Sequence, residues 1–210
     1  TREAVDAIRF LSNRSTGAMG TALAARLVQL GARVTLVQGP GTAAAPEGLA
    51  ELVPVESAAD MARAVDASLS RGQDWLFMAA AVADYRPREV AEGKVKKEEQ
   101  GDGWSVPLER TADILRDVVA PRREGLRVVG FALETDRLLE RAAAKRAAKG
   151  MDWIVANDPT ARGGSFGDAP HSVHLVGADG PVWSSAEPAA KSELAAHLLR
   201  ELAAAEGAGA

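Results

Sequence analysis

The sequence predicts one α/β domain: a Rossmann-like, mostly parallel sheet with helices on both faces. Three observations carry that expectation. Strand-like and helix-like apolar segments alternate along nearly the whole chain. Trp75 to Val82 (WLFMAAAV) is continuously apolar, as a strand covered on both faces should be. The 210 residues, 47% of them apolar, suffice for one packed core and are short for two.

The elements follow in order. Met19 to Leu30 has helical periodicity, with Ser and Thr before it and Gly31 as its stop. Arg33 to Val37 is a short β-rich run closed by Gly39-Pro40-Gly41. Ser57 opens a second helix that stops at Gly72, and the Trp75 strand follows. Thr111 is positioned to cap TADILRDVVA, Arg127 to Ala132 reads as a strand, and Asp136 is positioned to cap an Ala-rich helix ending at Gly150. Trp153 to Ala156 reads as a buried strand. HSVHLV and PVWSS around Gly177-Ala-Asp-Gly180 predict a C-terminal β-hairpin. A last amphipathic helix is expected over 188–204, with a frayed AEGAGA tail. Residues 88–110 are polar, contain Gly101-Asp-Gly103 and carry little core signal, so they read as a flexible flap on a single domain spanning 1–210.

Composition removes several function classes. No cysteine means no disulfide, thiolate metal site or cysteine nucleophile. A net charge of −4 supplies no basic field for nucleic acid or acidic lipid. No apolar run approaches the roughly 20 residues that span a bilayer, and no signal peptide opens the chain, so a cytoplasmic protein is expected. Among 25 basic residues only six are Lys, and five of these cluster: Lys94, Lys96 and Lys97, then Lys145 and Lys149. A mobile ammonium is not equivalent to a planar guanidinium, so clustered Lys marks either a site or simply a solvated face.

In open α/β sheets, ligands bind beyond the carboxyl ends of strands and at helix N-termini. Four segments qualify. Ser12-Asn-Arg-Ser-Thr-Gly-Ala-Met-Gly20 is a polar loop opening a helix, where free N–H groups can hold an anion and Asn13 can donate to an oxyanion. Ala79 to Pro87 puts small residues where a flat ring can approach. There Asp84 can meet a ribose hydroxyl, a base amino group or Mg²⁺, or merely shape the turn before Pro87. Lys94 to Lys97 lies on the flap. Phe131 stands at a strand end, and Lys145 and Lys149 share one face of the next helix. His171 and His174 read as strand residues on opposite faces and His197 as isolated, so structural or surface roles are expected for all three. A nicotinamide-dependent reductase is a poor fit. There is no G-x-G-x-x-G, no acid after Val37-Gln38-Gly39 for a ribose, and no Lys four residues after Tyr85. No P-loop occurs either.

Taken in order, SNRSTGAMG, MAAAVADYRP, KVKK, TADIL, VVGFALET, AAAKRAAKGMDWIVAND and the GGSFG loop resemble the synthetase part of bacterial phosphopantothenate–cysteine ligase. The resemblance runs from Thr1 to about Gly180. It implies that CTP, with Mg²⁺, activates the carboxylate of phosphopantothenate as an acyl-cytidylate, and that L-cysteine then displaces CMP, a step of coenzyme A biosynthesis. By the same resemblance Asn13 holds the acyl intermediate, Arg9 and Ser12 lie near phosphopantothenate, and Lys94 reaches the phosphates from the flap. Ala80, Asp84, Thr111, Ala112, Asp113, Ile114, Phe131, Lys145 and Lys149 form the nucleotide site, and no protein metal site is implied.

Three departures accompany it. Ala18 stands where the family often has Lys, and Thr111-Ala112 where it has Asn-Pro. The family's apolar first strand and Gly-Gly turn are expected just ahead of Thr1. A homodimer pairing near Trp104 to Leu108 is a further expectation, as is fusion or association with a decarboxylase domain. The alternative reading is a non-catalytic nucleotide-binding module of the same fold.

Overall fold

The computed structural model describes residues 1–41, 43–157 and 170–208. Its strands are β1 (Arg2–Ala4), β2 (Phe10–Ser12), β3 (Thr35–Gln38), β4 (Glu51–Pro54), β5 (Trp75–Met78), β6 (Tyr85–Pro87), β7 (Leu108–Arg110), β8 (Arg127–Leu133), β9 (Trp153–Asn157), β10 (His174–Gly177) and β11 (Gly180–Ser184). Its α-helices are α1 (Ala18–Gln29), α2 (Ala58–Leu69), α3 (Leu138–Ala148) and α4 (Lys191–Ala208). The central sheet has the order β11-β10-β9-β8-β5. β5, β8 and β9 run parallel, and β10 with β11 adds the expected antiparallel hairpin.

The period-two rule sorts β8 and β9 between two cores. Val128, Ala132, Ile154 and Ala156 face α2 and α3, packing on Met61, Val65 and Ala142. Val129, Trp153 and Val155 face α1 and α4, packing on Leu23, Leu194, Leu198 and Leu202. Both faces of the sheet are therefore covered by helices. α2 starts where its sequence says it must. Ser57 Oγ accepts the Asp60 N–H at 3.1 Å and Asp60 Oδ2 accepts the Ser57 N–H at 2.9 Å, a reciprocal capping box.

Several local expectations are corrected. Thr111 does not cap the following helix. It continues directly from β7, its hydroxyl donates to the Ala83 carbonyl at 2.6 Å, and Asp113 accepts the Arg116 N–H at the start of a π-helical turn, Ile114–Val119. Asp136 does not cap α3 but ion-pairs with Arg141 at 2.8 Å, and the cap position falls to Arg137 in the left-handed region (φ 45°). Trp75 to Val82 is strand only through Met78; beyond it the chain leaves the ladder. The tail expected to fray stays helical through Ala208. The ends of the expected flap are tied by the antiparallel pair β6–β7, so the segment 88–107 is a long excursion from a hairpin stem. The GGSFG loop and Asp158-Pro159 lie outside the described residues.

The parallel strands also fall into two groups. β3 pairs with β4 and β5 pairs with β8, but β3 and β5 are not hydrogen-bonded to each other. Between them lies a cavity of about 570 Å³ lined by Leu36, Val37, Leu76 and Phe77 from the strands and Leu23, Leu27, Leu199 and Leu202 from the helices. The Thr1 nitrogen stands at one end of this gap, donating to the Ala81 carbonyl at 3.1 Å.

Candidate active site

A second cavity, of about 590 Å³, opens at the carboxyl ends of β5, β8 and β9, where an α/β sheet is expected to bind its ligand. Four chain segments make its walls: the loop from Asn13 into α1, the stretch Met78 to Asp84, the turn Thr111 to Leu115, and Phe131 to Leu133. Lys145 and Lys149 close it from α3 and its C-terminus.

Hydrogen bonds knit these segments into one wall. Asn13 Nδ2 donates to the Val82 carbonyl at 3.2 Å, the Ala83 N–H donates to Thr1 Oγ1 at 3.0 Å, and the Thr111 N–H donates to the Asp84 carbonyl at 3.0 Å. A carboxamide nitrogen carries two hydrogens, so Asn13 can hold Val82 and still offer a donor. α1 has Gly17 at its N-cap, in the left-handed conformation (φ 78°), with no acid in its first turn. The Gly17 and Ala18 N–H groups make only long bonds, at 3.4 Å, to the Ser15 and Thr16 hydroxyls, so the helix start still presents a partial positive charge at the cavity rim. The turn Gly39-Pro40-Gly41 supports this loop from behind. A Cβ on Gly41 would lie 2.6 Å from the Thr16 carbonyl oxygen, so only glycine allows that approach.

The lysines divide by partner. Lys149 Nζ ion-pairs with Asp113 Oδ2 at 3.1 Å, across the cavity floor. Lys145, half-buried, has no carboxylate partner among the described residues, which leaves an ammonium available to an incoming anion. Among the described residues no three His, Asp or Glu side chains gather as a metal cage. Mg²⁺ characteristically keeps waters and takes one or two carboxylates plus phosphate oxygens. Asp84, exposed at the rim, is a suitable single ligand for a cation that arrives on a nucleotide, so the residues present fit that use of the metal.

Of the residues expected at the site, Asn13, Ala80, Asp84, Thr111, Ala112, Asp113, Ile114, Phe131, Lys145 and Lys149 line this one cavity. Ser12, Arg9 and Lys94 do not. Ser12 Oγ donates to the Thr1 carbonyl at 2.8 Å and borders the gap between β3 and β5. Arg9 is engaged with Asp6 and the flap, and Lys94 is exposed on the flap. Arg14, Asn157, His171 and Lys191 also line the cavity, and sequence reasoning missed them. His171, expected to be structural, is buried and bridges to Ala189 ahead of β10 rather than lying on it. Lys191 had a signal: it is the sixth lysine, the one outside both clusters. His174 bonds Ser184, and His197 stacks on Trp183, as peripheral side chains should.

The sequence pattern of the family described as the DNA/pantothenate metabolism flavoprotein C-terminal domain matches residues 1–205. The chain is 44% identical over 209 residues to the coenzyme A biosynthesis bifunctional protein CoaBC of Bacillus subtilis (strain 168), covering 97% of this chain and 49% of that protein. It is 39% identical over 200 residues to the CoaBC protein of Escherichia coli (strain K12), covering 95% and 48%. The chain thus spans about half the length of the curated relatives it matches. Among solved structures, the C-terminal domain of a CoaBC protein superposes with a TM-score of 0.78 at 35% identity, covering 96% of this chain and 89% of that one. A Cab2 variant (H337A) in complex with phosphopantothenate-cysteine shares the fold at 17% identity, with a TM-score of 0.70, covering 98% and 86%. With its pattern matched almost end to end, this chain belongs to the DNA/pantothenate metabolism flavoprotein C-terminal domain family.

Proposed function

We propose that the chain is a CTP-dependent phosphopantothenate–cysteine ligase. The observation that carries this reading is the company kept in one cavity: the Asn13 amide, the acid-free start of α1, the Phe131 side chain, and Lys145 with no carboxylate partner among the described residues. A carboxylate oxygen of phosphopantothenate attacks the α-phosphorus of CTP and the bond to pyrophosphate breaks. The amine of L-cysteine then attacks the acyl carbonyl, the bond to CMP breaks, and the amine proton leaves to solvent. Both steps need positioning and charge neutralisation more than covalent help from the protein.

In this reading Lys145, Lys149 and the α1 N-terminus hold the phosphates. Ala79 to Ala81 leave room for the cytosine, Phe131 meets base or ribose, and Asp84 takes the ribose or the Mg²⁺ that travels with CTP. That ion would draw charge from the leaving pyrophosphate. Asn13 donates to the carbonyl oxygen as negative charge grows there, and Arg9 and Ser12 serve the phosphopantothenate end. Lys94 comes from the flap to the phosphates. The relatives' double length and bifunctional names support operation beside a second domain; in this reading that domain is a decarboxylase and the setting the cytoplasm. No helix among the described residues is long and apolar enough to cross a membrane.

One structural feature extends the proposal. Ile8, Phe10, Val90, Trp104 and Leu108 are exposed apolar residues near the two small antiparallel pairs, a face suited to a second copy of the chain in a homodimer. Pyrophosphate release from CTP tests the main reading. It should require phosphopantothenate and precede addition of cysteine. CTP binding without any such release would favour a non-catalytic nucleotide module instead.

A further inference from the structure

The loop between β1 and β2 contains a carboxylate whose surroundings are out of proportion to a hairpin turn. The Asp6 side chain is fully buried. Its Oδ1 accepts the N–H groups of Ile8 and Arg9, each at 2.8 Å, which shapes the turn. Its Oδ2 faces the other way and accepts the Val95 N–H at 3.1 Å, with Arg9 Nε also at 3.1 Å. An ionised carboxylate has about four lone-pair sites, and here three accept backbone N–H groups while the Arg9 guanidinium stands beside Oδ2 as an ion pair.

Arg9 completes the grip. Its Nη2 donates to the Val95 carbonyl at 2.5 Å, so both polar groups of one flap peptide residue are held by an ion pair 86 residues away in sequence. The same guanidinium lies over the Trp104 ring, 4.6 Å from its centroid, and the Ala91 N–H donates to the Val5 carbonyl at 3.3 Å. Between β6 and β7 the flap has no strand of its own and one short 3₁₀ turn, Lys97–Glu99, so these contacts fix its course. Val95 is the immediate neighbour of Lys94.

We propose that Asp6 is a positioning residue: with Arg9 it clamps the flap at Val95 and thereby sets where Lys94 stands. The catalytic half of this inference rests on the reading of Lys94 given above; the clamp itself does not. Hydrogen bonds from the Ile8, Arg9 and Val95 N–H groups, the Ile8 bond foremost, hold the Asp6 carboxyl below the usual carboxylate range, so the clamp remains an anion at neutral pH.

Asp6→Asn separates the two functions of the side chain. Its amide oxygen can still accept from Ile8 and Arg9, while its NH₂ meets the Val95 N–H and Arg9 Nε as donor against donor. Hydrogen exchange by mass spectrometry should then show residues 90–100 exchanging at least tenfold faster, with β8 and β9 unchanged. Unchanged exchange around Val95 would overturn the clamp. If Asp6→Asn fails to fold, Val95→Pro removes the same bond from the flap side and should loosen the same peptide; unchanged exchange there overturns the clamp equally.

The catalytic half is read separately. Asp6→Asn should lower kcat for pyrophosphate release while leaving the CTP KM near its original value. In a Lys94→Ala background it should lower kcat no further, because it acts through Lys94. An equal further loss in that background would refute positioning. If Lys94→Ala alone leaves turnover intact, the reading of Lys94 fails, and the exchange result still decides the clamp.

Discussion

The cavity at the carboxyl ends of β5, β8 and β9 and the flap between β6 and β7 are built by different forces. The cavity residues project from strands and helix ends whose other faces are buried. Val129 and Ile154, fully buried, lie in the strands that carry Phe131 and Asn157. The flap contributes almost no buried apolar surface, and its course depends on Asp6, Arg9 and Trp104. The first region is preorganised by the core, so the proposed nucleotide site needs little further ordering. The second is held by a few polar contacts, so it can move a charge without disturbing the fold. Substitutions should therefore separate: flap changes act on rate, the cavity lysines on nucleotide binding, Asn13 on transfer to cysteine, and support changes on stability.

Lys94→Ala should have the largest effect. Removing one transition-state donor costs about 10²- to 10³-fold in rate in comparable sites. Acyl-cytidylate formation should fall by that order while the melting temperature stays within a degree or so, since Lys94 is exposed. Lys94→Arg should also be poor, because a planar fork does not replace a compact charge. Full turnover in Lys94→Ala would erase the contrast between the two regions.

Asn13→Asp should split the half-reactions. The carboxylate keeps the size but loses the donor and places negative charge beside a developing oxyanion. About one pyrophosphate per site should still be released, because the lysines remain, with little phosphopantothenoylcysteine formed. Equal loss of both half-reactions would assign Asn13 to holding Val82 and leave the oxyanion to backbone N–H groups.

Lys145→Ala should raise the CTP KM by roughly 5- to 150-fold, the order of a charge-assisted hydrogen bond at about 1–3 kcal/mol. Lys149→Ala should do the same and also leave Asp113 as an unpaired carboxylate on the cavity floor. Adding Asp113→Asn should therefore recover part of the loss for Lys149→Ala and none for Lys145→Ala. A CTP titration on the four variants checks this, and identical behaviour of the two lysines would mean that the Asp113 pair is irrelevant.

Two smaller effects sharpen the stability side. Gly41→Ala forces a methyl against the Thr16 carbonyl and should cost about 1–3 kcal/mol, the usual range for overpacking, read by denaturant unfolding. Ser57→Ala removes half of the α2 capping box, costing about 1 kcal/mol, or roughly 2–4 °C in a domain of this size. Hydrogen bonds from Ser57 hold the Asp60 carboxyl below the usual carboxylate range. The Asp60 contribution is therefore complete above the ordinary carboxyl pKa and is lost as pH falls through the lowered one. Neither variant should alter the ratio of the two half-reactions.

The sheet and its helices were legible because burial writes itself into period and run length: WLFM, RVVGFA and the helix opened by Ser57 all stand where they read, while AAAV beyond Met78 does not. β4 was not legible, since Glu51-Leu-Val-Pro54 is four residues long with Leu52 exposed. The β1–β2 hairpin was missed for a similar reason, with three residues in each strand. Of the ten expected residues gathered in one cavity, Asn13, Ala80, Asp84, Phe131, Lys145 and Lys149 follow from placing motifs at strand ends, whereas Thr111 to Ile114 were expected there from the family resemblance alone. The places of Arg9 and Lys94 do not follow from motif placement, because they depend on a side-chain clamp between segments 86 residues apart. His171 reaches the cavity through a single bridge to Ala189, a contact with no local signature.

The measurement that tests the central claim most directly follows an oxygen atom. Phosphopantothenate labelled with ¹⁸O in its carboxylate would be turned over with CTP and L-cysteine, and the products examined by mass spectrometry. Attack of the carboxylate on the α-phosphorus requires that one labelled oxygen leave in CMP, with pyrophosphate unlabelled. Unlabelled CMP, or label in inorganic phosphate alongside CDP, would contradict activation as an acyl-cytidylate in this cavity.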